Sequence, residues 1–179
     1  MTKNSTDHDA QIFKAIQTDS RQTDKKIGDK VGVVPSTVNK LIHKHLADGS
    51  LKYKAVLDPA AFDLRTLAFV QFKLHNKLAE IADKTVAHIE QYKNVQEIHH
   101  INGKFDILVK IRCRDPVCVH DFIQAMLHHG NVADSQTIFS MKIVHETTDI
   151  DTSAPPPKDT GATVSTLERP RALKSANEA

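Results

Sequence analysis

Cysteine is nearly absent from these 179 residues: Cys113 and Cys118 are all there is. Two are too few for a disulfide framework, so the sequence predicts reduced thiols and a cytoplasmic chain. Cys113 reads as a core residue, and its place on a strand with Cys118 on the next helix predicts no joint site. Long apolar runs are missing too. None approaches the ~18 residues of a membrane span, and the opening MTKNSTDHDA has no apolar stretch of the signal-peptide kind, so no membrane partner is expected. CxxC and HExxH do not occur. The eleven histidines, among them His43, His45, His99, His100, His128 and His129, lack the cysteine or carboxylate company that metal sites favour. Asp106 with Asp115 or Asp121 is the one candidate carboxylate pair, and these read better as a turn and a helix start. No catalytic residue, metal or cofactor is therefore expected, and the chain is not expected to be an enzyme.

What is present is unevenly spread. Residues 1–60 carry ten Lys/Arg against seven Asp/Glu, residues 61–147 carry ten of each, and residues 148–179 carry four against five. The basic excess at the N-terminal end is a weak pointer to nucleic acid.

Periodicity divides the chain. Ile12, Phe13, Ala15 and Ile16 mark a first helix, with Asp9 near its start. Thr23 suits the N-cap of a second short helix carrying Ile27 and Val31, and Gly32 supplies the turn. Pro35 opens a third helix whose apolar stripe is Val38, Leu41, Ile42 and Leu46, and Gly49 closes it. Leu51, Tyr53, Ala55 and Leu57 then alternate as a connector strand. Residues 64–147 follow as strand, helix, strand, strand, helix, strand. The strands are Leu67–Leu74, Val95–Ile101, Phe105–Ile111 and Val132–Val144; the helices are Leu78–Tyr92 and one from Pro116 to Gly130. Asn102-Gly103-Lys104 is the hairpin signal. The predicted class is α+β: a helix-turn-helix domain (1–50), a connector strand and linker (51–62), a ferredoxin-like βαββαβ domain (63–147) and a disordered tail (148–179). An open sheet face needs cover, so a homodimer is expected, and a charge at Val109 or Ile111 is expected to break either dimer or core.

The unit with chemical content is helix–turn–helix, Thr23 to Leu46. A recognition helix needs small, hydrogen-bonding side chains near its N-terminus, where it enters the major groove. Ser36, Thr37 and Asn39 meet that need, Lys40 and Lys44 are spaced to reach phosphates, and His43 shares their polar face. No acid lies between Lys30 and Asp48.

The segments DAQIFKAIQTDSR, KIGDKVGVVPSTVNKLIHKHLADGSLKYKAVLDP, INGKFDILVKIRCRD and NVADSQTIFSMKIV resemble the Lrp/AsnC (feast/famine) transcription regulators, from about Asp9 to Thr147. The resemblance implies a sequence-specific regulator of double-stranded DNA, an amino-acid effector and assembly of dimers into octamers or other higher oligomers. It places the effector near the Asn102-Gly103-Lys104 turn, with His100, Asn102, Asp106 and Thr137 at matching positions. Gly103 allows the close backbone approach that a ligand carboxylate needs. Two residues depart from the family pattern. Val34 stands where a hydroxyl residue usually precedes the helix-opening proline, and Lys104 stands where an acid usually follows the glycine. The alternative from another class is an amino-acid-binding sensor that no longer reads DNA.

Overall fold

The computed structural model describes residues 3–76 and 78–152. Its residues fall into two compact units, one up to Tyr53 together with 148–152, the other Lys54–Thr147.

The first unit is three helices, α1 (Lys3–Thr18), α2 (Asp24–Val31) and α3 (Pro35–Ala47). Ile12 and Ile16 of α1, Ile27 of α2, and Val38 and Ile42 of α3 close a small apolar core. α1 begins well before Asp9, so that residue is not at its start. Leu46 departs from its predicted stripe and is exposed; His45 faces inward instead, its ring edge-on to Phe13 at 4.8 Å. Thr23 caps α2 by accepting from the Lys26 amide, and Gly32 ends it in a left-handed conformation with φ 79°. Gly28 had no sequence signal and matters more. A Cβ there would stand 2.5 Å from the Val33 carbonyl oxygen, which is backbone and has little room to yield. Gly28→Ala is therefore expected to destabilise this unit by about 1–3 kcal/mol, the range of overpacking. Gly32→Ala meets no atom, and its left-handed φ alone should cost roughly 1–2 kcal/mol. Thermal melts of both variants check this. A Gly28→Ala protein as stable as the parent would contradict the close approach.

Of the segment expected to be a disordered tail, 153–179 lie outside the described residues. Residues 148–152 are ordered against α1: Gln17 donates to the Ile150 carbonyl (3.0 Å) and accepts from its amide (2.7 Å), and Thr152 donates to the Ala10 carbonyl (3.0 Å). Backbone pairing with a glutamine needs no apolar content, so composition could not reveal it.

The second unit is a four-stranded antiparallel sheet in the order β2-β3-β1-β4, with β1 Thr66–Leu74, β2 Val95–His100, β3 Ile107–Cys113 and β4 Val132–Phe139. Helices α4 (Ala79–Ile89) and α5 (Pro116–His128) make the two crossovers, giving the ferredoxin-like βαββαβ order. Alternation sorts the strands. Ala68, Val70, Phe72 and Leu74 of β1 and Ile107, Val109, Ile111 and Cys113 of β3 pack with Ile89, Val119, Phe122 and Met126 of the helices. The other sheet face carries Phe69, Leu108, Lys110, Arg112 and Ile138, by register. Val109 and Ile111 thus belong to the core, which settles a choice that alternation left open.

Four expectations need correction. Residues 51–58 form no strand, because among the described residues nothing pairs with them; a 3-10 turn, Pro59–Phe62, follows. β4 stops at Phe139, opposite Ala68 of β1; the Ser140 amide still donates to the Leu67 carbonyl (2.9 Å), and the strand pairing goes no further. The β2–β3 connection is a six-residue loop, 101–106, closed by the Ile101 amide donating to the Asp106 carbonyl (3.0 Å). Phe105 leaves the strand and turns into the interior, which delays β3 to Ile107. Cys113 and Cys118 are joined as a disulfide. Only Arg114 and the cap residue Asp115 separate the end of β3 from the start of α5, so the chain returns at once and strand and helix place both sulfurs together.

Candidate functional site

Two surfaces collect the predicted residues. The first is α3. Ser36, Thr37, Asn39, Lys40, His43 and Lys44 are all exposed, while Val38 and Ile42 hold the opposite side of the helix in the core. Ser36, Lys40 and Lys44 follow one another at four-residue steps, which lines hydroxyl and ammonium groups along one helical stripe. Asn39 is engaged: its amide donates to the Asp24 carboxylate at 2.9 Å, tying α3 to the start of α2. Both groups are exposed, so water or a base edge can replace that bond. At the far end, Ser50 hydrogen bonds hold the Asp48 carboxyl below its ordinary pKa, helped by His45 and Lys44.

α3 starts without a side-chain cap. Val34 occupies the N-cap with φ −70° and ψ 147°, makes no side-chain bond, and is 62% exposed. Pro35 at the first helical position partly offsets this through its fixed φ. Val34→Ser is expected to raise the stability of the three-helix unit by about 1 kcal/mol, the usual worth of a cap. A melt showing no gain would mean that the backbone here is already satisfied.

The second surface is the 101–106 loop. Asn102, Gly103 and Lys104 are exposed, and Gly103 has φ 129°, a conformation open to glycine and strained for other residues. Lys104 lies with its ammonium 5.1 Å from the centre of the Phe105 ring. Asp106 is committed to the fold: its carboxylate accepts from the Leu74 amide (2.9 Å) and its own amide donates to the Phe72 carbonyl (2.9 Å). His100 pairs with Ile107 at the β2 edge. Thr137 is on β4, the opposite edge. Three strand spacings, ~14 Å, separate these edges, so one chain does not bring Thr137 to the loop.

The remaining candidates stay apart. Asp106 and Asp115 sit at opposite ends of the seven-residue β3, ~20 Å of strand, and Asp115 is spent capping α5 through the Cys118 amide (2.9 Å). On the open sheet face, the Arg112 guanidinium meets Glu146 at 2.6 Å, and Lys110 meets both Glu97 (3.0 Å) and Glu146. These bonds, with Lys110 the leading cause, hold Glu97 and Glu146 below the ordinary carboxylate range, and Glu146 chiefly raises Lys110. The sequence offered no signal for this cluster, since Glu146 lies beyond the last strand. His88 is pushed down by burial and by His129, whose ring centre is 4.1 Å away.

Residues 67–150 match the sequence profile of the Lrp/AsnC ligand binding domain. The HTH-type transcriptional regulator FL11 of Pyrococcus abyssi is 28% identical over 144 residues, 79% of this chain and 93% of the relative. The leucine-responsive regulatory protein of Salmonella typhimurium is 25% identical over 140 residues, 77% of this chain and 85% of the relative. Among solved structures, an AsnC family transcriptional regulator from Agrobacterium tumefaciens superposes with a TM-score of 0.76 at 22% identity, covering 84% of this chain and 96% of that one. A transcriptional regulator from Neisseria meningitidis, solved in complex with L-methionine, gives 0.74 at 22% identity with the same coverage. At these identities the two structures establish a shared fold.

Proposed function

We propose that this chain, which carries the Lrp/AsnC ligand-binding domain across residues 67–150, is a sequence-specific DNA-binding transcriptional regulator and not an enzyme. The observation that carries this is the exposed stripe of α3. Its hydroxyl and amide groups stand at the end that enters a major groove, with Lys40 and Lys44 further along where phosphates pass. Residues 1–50 act as the DNA-reading domain, 51–62 as the linker, and 63–147 as the sensing and oligomerising domain, working in the cytoplasm.

The protein acts as a homodimer, the minimum that sets two recognition helices on half-sites about one helical turn apart, or a multiple of it. Support comes from apolar surface that one chain leaves uncovered: Tyr53, Val56 and Leu57 in the unpaired linker, and Ile138 and Phe139 on the edge strand β4. Dimers assemble further into octamers or other higher oligomers. An amino acid is the effector, bound at the 101–106 loop, where His100, Asn102, Gly103 and Lys104 offer donors and Asp106 holds the backbone. Thr137 joins them only from another protomer.

The Asn39–Asp24 bond and the uncapped Val34 favour one competing reading, a sensor of amino acids that has ceased to read DNA. A mobility-shift assay on the DNA upstream of its own gene separates the two. A complex that survives excess unrelated DNA supports the regulator. Binding of an amino acid by calorimetry without any such complex supports the sensor.

A further inference from the structure

The cysteine pair belongs to neither surface. Cys113 is the last residue of β3 and fully buried, whereas Cys118, in the first turn of α5, is partly exposed. Their Cα atoms are 5.9 Å apart, an ordinary span for a disulfide. Asn94 donates its side-chain amide to both sulfurs, at 3.2 Å to Cys118 and 3.6 Å to Cys113. An open cleft of about 270 Å³, lined by Tyr92, Asn94, Ile111, Cys118, Asp121 and Phe122, brings solvent to the Cys118 side only.

We infer that Cys113 and Cys118 form a reversible dithiol–disulfide site that reacts with hydroperoxides, Cys118 attacking and Cys113 resolving. Access assigns the roles. A peroxide arriving through the cleft meets Cys118 first, and the fully buried Cys113 meets only Cys118. The Cys118 thiolate attacks one peroxide oxygen, the O–O bond breaks, and the departing oxygen takes up the proton that the thiol gave, leaving as water from hydrogen peroxide or as an alcohol from an organic hydroperoxide. The sulfenic acid so formed is then attacked by the Cys113 sulfur. The S–O bond breaks, the S–S bond forms, and the Cys113 proton leaves in a water molecule. Two thiols give up two electrons, and the peroxide takes them. An external dithiol reverses the reaction by exchange through the exposed Cys118 sulfur. Asp115 is occupied with the Cys118 amide, which leaves Asn94 as the amide donor that can follow the sulfur through these changes. Oxidation therefore fixes the end of β3 to the start of α5, and reduction frees the two-residue turn between them.

The full-length protein, reduced with dithiothreitol and freed of it, is treated with one equivalent of hydrogen peroxide. Titratable thiols should fall from two per chain towards none, with the mass lower by two hydrogens, no cross-linked chains, and full return on adding dithiothreitol. In Cys113→Ser, dimedone should label Cys118; in Cys118→Ser, labelling of Cys113 should be about tenfold weaker, as site-selective oxidation follows exposure. Because serine at the buried position can impair folding, the reduced parent protein is also alkylated with iodoacetamide under native conditions, and Cys118 should react faster than Cys113. Persistent thiols, disulfides between chains, a bond that dithiothreitol does not open in the folded protein, or faster alkylation of Cys113 would each overturn the inference.

Discussion

Replacing Lys40 and Lys44 together with alanine should leave the fold intact and weaken DNA binding about a hundredfold or more near 0.1 M salt, for every sequence tested. Both ammonium groups lie on the exposed side of α3, so nothing in the core depends on them. Each neutralised phosphate contact contributes nearly one unit to the slope of log K against log salt, and a dimer loses such contacts in pairs. Lys44→Ala alone should lower that slope by about two in a dimer, one per protomer. Asn39→Ala should behave differently. It releases Asp24 and removes the amide proposed to read a base, so preference should relax at one base position by roughly 1–3 kcal/mol while the salt slope stays put. Fluorescence anisotropy across a salt series reads both effects. Unchanged slopes in the lysine variants would remove α3 from the interface.

A second large effect separates the two faces of the sheet. Val109 is completely buried and packs beneath α4 and α5. Val109→Asp would place a carboxylate there without a partner, at a cost of about 3–5 kcal/mol, comparable with the whole stability of a small domain. The Lys54–Thr147 unit should lose its cooperative melt. Ile138→Asp changes the opposite face at a side chain 48% exposed, where a single chain should lose no more than about 0.5 kcal/mol. If that face is covered in the dimer, light scattering at micromolar concentration should show dissociation in Ile138→Asp with its sheet intact. A folded Val109→Asp protein would contradict the register of β3, and an undissociated Ile138→Asp dimer would place the interface elsewhere.

The helices and strands were legible because their cores obey simple periods. Ile12 and Ile16, Val38 and Ile42, and the alternate residues of β1 and β3 announce their elements, and Thr23, Gly32 and Pro35 announce the ends. What escaped were features set by meetings across the chain. The close approach of Gly28 to the Val33 carbonyl involves no periodic pattern. Phe105 reads as a strand residue until its side chain is seen turning inward. The tie of Asn39 to Asp24 joins two helices through exposed groups, and Glu146 reaches Lys110 and Arg112 from outside any regular element. The α3 stripe was legible in full, since six exposed side chains on one helix follow from the buried pair Val38 and Ile42. Of the residues proposed for the loop, sequence order cannot show that four strands put His100 and Thr137 on opposite edges.

A dimer of this chain is proposed to read specific DNA through α3. Hydroxyl-radical footprinting of the region upstream of its own gene, with excess unrelated DNA present, tests it most directly. Two protected half-sites related by approximate two-fold symmetry are expected, their centres about one helical turn or a whole multiple apart, both lost in the Lys40→Ala/Lys44→Ala protein. Uniform protection that unrelated DNA competes away, or a footprint unchanged in that variant, would contradict it.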